Sequence, residues 1–155
     1  MKARTLLMIG GLAVFASCAP SEPRIDEVMD LPLKTTERPE WETGLLRANA
    51  NYMLFGAVAE QDRQNLLGDY YFVTWSDVRP DLPARLVFRY TQARTGSRVL
   101  ESIVLYQAGR KGGEKHEAFA FNGPDRQADG DILTWKLVLE VDGKVVDSKQ
   151  SFLWE

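Results

Sequence analysis

The chain has 155 residues, a formal net charge of −3 and a single cysteine. A slightly acidic protein has no general electrostatic attraction to nucleic acid, and one cysteine supports neither an internal disulfide nor a thiolate zinc site. The length suits one domain with a short additional segment, and hydrophobic residues, at 45%, are numerous enough to form a core.

The N-terminus has the three parts of a secretory signal peptide. Lys2 and Arg4 supply positive charge, residues 6–15 form an apolar run interrupted only by two glycines, and two small residues follow. A transmembrane helix needs roughly 20 apolar residues, so this run is too short to be a membrane anchor. We therefore expect residues 1–17 to be removed as a signal peptide during export.

The sequence around Cys18 resembles a bacterial lipobox. Cys18 directly follows the small residues Ala16 and Ser17, although Phe15 stands where the lipoprotein family prefers leucine. The resemblance covers about the first 18 residues and implies that Cys18 is joined to a diacylglycerol, whose acyl chains, such as palmitate, hold the protein on a membrane. Ala19 follows the cysteine, and the absence of aspartate there implies the outer membrane, on its periplasmic face. The alternatives are an ordinary secretory signal cut after Ala16 and a buried N-terminal helix.

Residues 18–43, which begin with the lipidated cysteine, have the composition of a tether. Four of the seven prolines and a series of acidic residues lie there. Because proline interrupts regular structure and like charges keep a chain extended, we predict a disordered segment. It is either a spacer that reaches roughly 75 Å as polyproline II or simply a disordered end of the domain. The rest of the chain, 44–155, is predicted to form a single domain.

The segment 43–67 is ambiguous between helix and strand. Its apolar residues fit either period, and we slightly favour a first strand at 51–58 with Gly56 at a bulge. The polar run at 60–65 would then be a connection that contains up to one helical turn.

From residue 68 onward the composition is typical of β-strands. Aromatic and β-branched residues occur in short runs that glycine, proline and aspartate separate. The pattern predicts six strands, at 69–75, 85–92, 99–107, 115–121, 132–141 and 144–154. The last two flank Asp142-Gly143, a dipeptide typical of a type I′ hairpin.

Alternation along these strands predicts which side chains share a face. The sets, strand by strand, are Leu86, Phe88 and Tyr90; Val99, Ile103 and Leu105; Phe119 and Phe121; Leu133, Trp135, Leu137, Leu139 and Val141; and Val146, Phe152 and Trp154.

Seven strands, counting 51–58, with no long helices between them predict an all-β fold, an antiparallel β-sandwich. In architecture this resembles an immunoglobulin or fibronectin type III-like domain. The cysteine pair of immunoglobulin domains is absent, so the resemblance does not extend to a specific family. A small β-barrel is the alternative.

His116 is the only histidine and the only candidate base for a serine triad. No G-x-S-x-G motif accompanies it, and Glu114 and His116 alone do not make a zinc site. We expect a solvent-facing strand histidine and no enzymatic activity.

Asp125, Asp129 and Asp131 lie in a segment, 122–131, that is predicted to be a turn-rich loop. Their spacing does not match the calcium-binding EF-hand pattern, and aspartate with glycine is also the usual composition of turns. We expect a plain turn, no metal and no cofactor.

A basic glycine-containing loop at 109–115 is the best candidate for an exposed contact. Its residues Arg110, Lys111 and Lys115 would face an anionic glycan or an acidic partner, unless the loop is only a soluble hairpin tip. Adjacent Tyr70 and Tyr71 point to opposite faces of a strand, so one of them, Tyr71, is a candidate exposed platform.

These observations favour a non-enzymatic, lipid-anchored envelope protein. We expect its sandwich to contact another envelope protein through exposed sheet edges. A glycan-binding module for peptidoglycan or polysaccharide is the alternative function.

Overall fold

The structure is a computed structural model, and it describes residues 22–34 and 44–154. The predicted signal peptide and Cys18 lie outside the described residues. In chain order the elements are β1 (Arg24–Leu33), α1 (Gly44–Leu54), α2 (Glu60–Leu66), β2 (Gly68–Asp77), β3 (Ala84–Gln92), β4 (Leu100–Tyr106), β5 (Gly113–Asn122), α3 (Gly123–Asp129), β6 (Ile132–Val141) and β7 (Lys144–Gln150).

The described strands form two antiparallel sheets. One sheet has the order β1-β2-β5 and the other has the order β4-β3-β6-β7. The sheets enclose a common core and do not join into a closed barrel. The prediction of an all-β antiparallel sandwich is therefore confirmed, and the barrel alternative is wrong.

The core lies between the sheets because each strand turns alternate side chains inward. Phe88 of β3 is fully buried at its centre, with the ring centroids of Tyr71 and Phe119 at 4.7 and 5.1 Å. Burying one such side chain contributes about 1.5–3 kcal/mol. The predicted faces of β3 and β5 are confirmed, since Leu86 is buried beside Phe88 and Phe121 packs against the same cluster.

Strand β1 occupies part of the segment predicted to be a tether. It pairs with β2 along its length, and Leu31 and Leu33 are buried against the first helices. Pro32 is tolerated because β1 lies at a sheet edge, where a missing backbone donor leaves no ladder bond unmade. The tether prediction is wrong for Arg24–Leu33, and its remaining parts, 18–21 and 35–43, lie outside the described residues.

The strand predicted at 51–58 is also wrong. Residues 51–54 belong to α1, and Met53 and Leu54 pack on the outer face of the three-stranded sheet against Leu31, Leu33 and Tyr70. The helical conformation predicted within 60–65 is confirmed, but α2 spans Glu60–Leu66 and is longer than the single turn that was predicted. The described residues form seven strands, the number predicted, but the seventh is β1 and not 51–58.

Two β-bulges change the predicted faces of the last two strands. Thr91 pairs with Thr134 and Gln92 pairs with Ile132, so Leu133 has no partner in β3. The Leu133 side chain is 55% exposed. A second bulge, after Leu139, likewise leaves Val146 without a cross-strand partner. The face predicted for 144–154 does not form, because β7 ends at Gln150 and Phe152 is fully exposed.

The turn between β6 and β7 has the predicted geometry. Asp142 and Gly143 have φ angles of 51° and 71°, and two consecutive positive values define a type I′ turn. The loop predicted at 122–131 is instead mostly helical, since α3 begins with Gly123 and Pro124, and proline is favoured in the first turn of a helix.

Candidate functional site

Arg110 is part of the folded core and not of an exposed loop. Its guanidinium binds the fully buried carboxylate of Asp77 through Nε at 2.6 Å and Nη2 at 3.1 Å, and its side chain is only 12% exposed. The Nη1 group donates to the carbonyl oxygen of Leu82 at 2.6 Å. Arg110 is therefore not available as the exposed ligand contact that the sequence suggested.

The other three candidate contacts have different environments. Lys111 is exposed, and Lys115 donates to the Lys111 carbonyl oxygen. Tyr71 is buried in the core, and Tyr70 is buried against the helices, where its hydroxyl donates to the Leu66 carbonyl at 2.6 Å. Neither tyrosine is the exposed platform that was predicted. The structure thus keeps only the two lysines at the surface.

His116 faces solvent on β5, as expected. It lies 3.1 Å from the Glu114 carboxylate and 3.2 Å from the Thr74 hydroxyl. Asp131, from the aspartate-rich segment, forms ion pairs with Lys34 and Arg126. Within the described ranges, the side chains of His, Cys, Asp and Glu form no group of three or more that could hold a metal ion.

Four of the described strands lie at sheet edges, and three of them carry features that hinder pairing with another chain. Strand β1 has a bulge after Ile25 and a proline at position 32. Strand β7 carries Lys144 and Lys149, and β5 begins with the charged or titratable residues 114–117. Proline, lysine, charge and bulges are the usual means by which proteins prevent edge-to-edge association.

Strand β4 has none of these features. Its sequence, LESIVLY, contains no proline, glycine or lysine, and it pairs with β3 without a bulge. Its only charged residue, Glu101, is paired with Arg89 of β3 at 2.7 Å. In the described part of the chain, the outer side of β4 pairs with no strand, so alternate backbone N–H and C=O groups along it are open to a further strand.

Apart from Glu101, the outer face of β4 is apolar. Val99, Ile103 and Leu105 share one face, as predicted, and it is the solvent face: Ile103 is 46% and Leu105 is 68% exposed. Ile103 continues a row with Val87 and Val138 of the neighbouring strands, both buried within the outer surface of the sheet. This strip lies beside an edge that carries none of the features that block pairing.

A groove of about 310 Å³ lies next to this edge, between β4, β5 and α3. Leu100, Tyr90 and Phe121 are its large apolar lining residues, which we refer to as its floor, and the ring centroids of Tyr90 and Phe121 are 4.5 Å apart. The opposite side of the sandwich is closed, since the Ile25 backbone N–H donates to the Asp147 carboxylate at 2.7 Å and so joins β1 to β7.

Charged residues of both signs also line the groove, and we refer to Asp125, Asp129 and Arg98 as its rim. Asp125 and Asp129 come from α3, and Arg98 comes from the turn before β4. Burial raises the pKa of the Tyr90 phenol; the Asp129 and Asp125 carboxylates raise it further, whereas Arg98 lowers it. The Tyr90 phenol therefore interacts electrostatically with all three of these charged groups. Arg126 also lines the groove, but its guanidinium is bound to the Asp69 and Asp131 carboxylates.

The sequence carries one signal of this site. The strand predicted at 99–107 is confirmed, and it contains neither lysine nor proline, whereas each of the other edge strands, β1, β5 and β7, contains at least one of these residues. Which strands form edges depends on pairing across the whole chain, and this pairing is not visible in the local pattern. The groove could not be inferred for the same reason, because its floor comes from three different strands.

Comparison with protein-family models, curated proteins and solved structures finds no match. Among the helices of the described residues, none has the length and hydropathy that a bilayer-spanning helix requires.

Proposed function

We propose that this protein is a non-enzymatic, lipid-anchored protein of the bacterial envelope that binds a partner protein by adding one of its strands to β4. The observation that supports this proposal best is the unprotected edge of β4, beside exposed Ile103 and Leu105. Proteins normally block such edges, and the other three edges of the described sheets are blocked, which supports a binding role for the open one.

The chemistry of β4 favours an extended polypeptide as the occupant. Backbone hydrogen bonds to a further strand supply affinity that depends little on sequence, and alternate side chains supply specificity. On the outer face, Ile103 and Leu105 would pack against apolar side chains of the added strand. Glu101 is already paired with Arg89, so the edge presents no uncompensated charge that would repel such a strand.

The anchor proposed at Cys18 would place the domain close to the membrane. Five residues, 19–23, separate Cys18 from β1. An extended chain advances at most about 3.6 Å per residue, so a lipid at Cys18 would hold Arg24 within about 22 Å of its attachment point. This distance is far shorter than the spacer that the tether prediction implied.

The short connection between Cys18 and β1 would also favour one orientation of the domain relative to the membrane. Arg24 pairs with Ser76, whereas Leu33, at the other end of β1, pairs with Gly68 and so lies near Asn122 and α3. The start of β1 would face the membrane, and α3 with the groove would face away from it. We propose the periplasmic face of the outer membrane as the location, on the basis of the lipobox resemblance.

The glycan-binding alternative has less support. It was built on Arg110, Lys111, Lys115 and Tyr71, and two of these four, Arg110 and Tyr71, are occupied in the core. Retention on purified cell-wall sacculi that depends on Lys111 and Lys115 would restore this alternative.

Site-specific photo-crosslinking in intact cells tests the strand-addition proposal. A photoreactive phenylalanine at Ile103 should crosslink one partner polypeptide, whereas the same group at Val145, which is also exposed but lies on β7, should not. Leu105→Lys, which adds a charge to the edge, should abolish the crosslink at Ile103. Equal crosslinking from both positions, or none from Ile103, would contradict strand addition at β4.

The anchor is tested separately. Tritiated palmitate should label the wild-type chain, and Cys18→Ser should lose both the label and the membrane fraction. A labelled Cys18→Ser variant, or an unlabelled wild-type chain in cells whose other lipoproteins are labelled, would exclude the proposed lipidation.

A further inference from the structure

We propose that the groove between β4, β5 and α3 is a specificity pocket for a lysine or arginine side chain of the strand added at β4. This inference rests on the proposed strand addition and names a feature of the partner. It assigns a ligand class, a basic side chain in an extended peptide, to a site that no sequence motif marked.

Leu100 begins β4 and also lines the groove, and it pairs with Tyr90, whose side chain forms part of the floor. Residues opposite each other in a sheet point to the same face. A residue of the added strand opposite Leu100 would therefore direct its side chain into the mouth of the groove.

Asp125 and Asp129 lie one helical turn apart on α3, so both are on the same side of that helix. Among the described residues, neither carboxylate takes part in a salt bridge, whereas Arg126 is bound to two other carboxylates. The groove thus offers two carboxylates against one available guanidinium, that of Arg98, and a cation is the ion that it favours.

Tyr90 and Phe121 form an aromatic surface in the groove that the two carboxylates also line. An aromatic face attracts an ammonium or guanidinium group, and the methylene stem of lysine or arginine packs on apolar surface such as Leu100. A basic side chain is the one natural type that satisfies the apolar floor and the acidic rim together.

Other side chains fit less well. A purely apolar side chain would partly desolvate the Asp125 and Asp129 carboxylates without compensation, and an acidic side chain would be repelled by them. The pocket would therefore select among strands that the backbone of β4 would otherwise accept alike.

Selection from a displayed library of random extended peptides tests the pocket. The target is the full-length protein purified from membranes in mild detergent. Peptides that bind should share alternating apolar residues and one lysine or arginine at a fixed position. For a selected peptide, replacing that lysine by norleucine should weaken binding about tenfold, and high salt should reduce the difference.

Matched variants assign the effect to the groove. Asp125→Asn/Asp129→Asn should remove the preference for the basic residue, whereas Asp81→Asn/Asp142→Asn, on two exposed turns at the other end of the domain, should keep it. Arg98→Gln, which removes the positive charge of the rim, should strengthen the preference. This last variant gives a change in the opposite direction that loss of folding cannot mimic.

The outcomes separate the two proposals. Peptides that bind the wild-type chain, fail to bind Ile103→Lys and show no preference for a basic residue would overturn the pocket and leave strand addition standing. Failure to select any peptide that depends on β4 would overturn both.

Discussion

Arg110 and Asp77 form a two-point ion pair inside one end of the sandwich. The guanidinium meets both carboxylate oxygens, at 2.6 and 3.1 Å, and the Asp77 side chain has no contact with solvent. Arg110 also donates to the Leu82 and Gln107 carbonyl oxygens, so one side chain joins the loop after β4 to the end of β2 and to the loop that follows it. A residue that looks like an exposed loop cation in the sequence thus closes this end of the fold.

Arg110→Ala should lower the free energy of unfolding by about 3–5 kcal/mol, because it leaves the Asp77 carboxylate buried without a counter-charge. Urea denaturation measures this change. Arg89→Ala is the matched control: its pair with Glu101 is about half exposed, and such pairs contribute less than about 1 kcal/mol. Equal effects of the two substitutions would show that the buried pair is not the stabilising feature. Asp77→Ala/Arg110→Ala should be less destabilising than the sum of the single changes.

Gly68→Ala should destabilise the protein by about 1–3 kcal/mol, through overpacking at the start of β2. A Cβ atom at Gly68 would lie 2.8 Å from the Asn122 Cα and closer still to the Phe121 carbonyl oxygen, and backbone atoms of a paired strand cannot easily move away. Gly44→Ala, where a Cβ would meet no described atom within 4 Å, should leave the stability unchanged or raise it slightly. Thermal unfolding of both variants measures these changes in stability. An unchanged melting temperature in Gly68→Ala would contradict the close approach of β2 to β5.

Stability should fall as the pH rises above about 10, the ordinary pKa of tyrosine. Burial raises the pKa of Tyr71, and the nearby Asp69 and Asp30 carboxylates raise it further. Above pH 10 the unfolded chain therefore loses the phenolic proton while the folded protein keeps it, and this difference favours unfolding. Urea titrations at pH 8 and pH 11 should show a smaller loss of stability in Tyr71→Phe than in the wild type. Tyr52→Phe, a change at an exposed helix residue, should behave as the wild type does; an unchanged loss in Tyr71→Phe would refute the argument.

The parts of the fold that were predictable are those in which local pattern and tertiary structure agree. Leu86 and Phe88 alternate with polar residues and face the core, and the Asp142-Gly143 turn specifies its own geometry. Leu133 fits the same alternation but is exposed, because a bulge in the pairing with β3 removes one residue from the register. A bulge is a property of two strands, so the sequence of one strand does not reveal it.

The candidate site was less predictable, because it consists of relationships between distant residues. Arg110 and Lys111 are neighbours with similar side chains, but only Arg110 has a buried carboxylate within reach, 33 residues earlier in the chain. In the same way, the exposed position of β4 follows from the order of strands in its sheet. Composition identifies a charged or apolar residue, whereas burial and pairing decide what that residue does.

Leu33→Ala should lower the free energy of unfolding by about 2–5 kcal/mol, the usual effect of removing most of a buried leucine side chain. Leu33 lies in the acidic, proline-containing segment for which the sequence predicted a tether, and a tether residue would tolerate this change. In the structure, Leu33 is fully buried and packs with Leu31 and Tyr70 beneath the first helices. Leu105→Ala is the control, because Leu105 is mostly exposed and its truncation should change stability by less than about 0.5 kcal/mol. Urea midpoints that agree for the wild type and Leu33→Ala would mean that β1 is not part of the folded domain. That result would also restore a long spacer between Cys18 and the sandwich. The domain would then no longer be held close to the membrane surface.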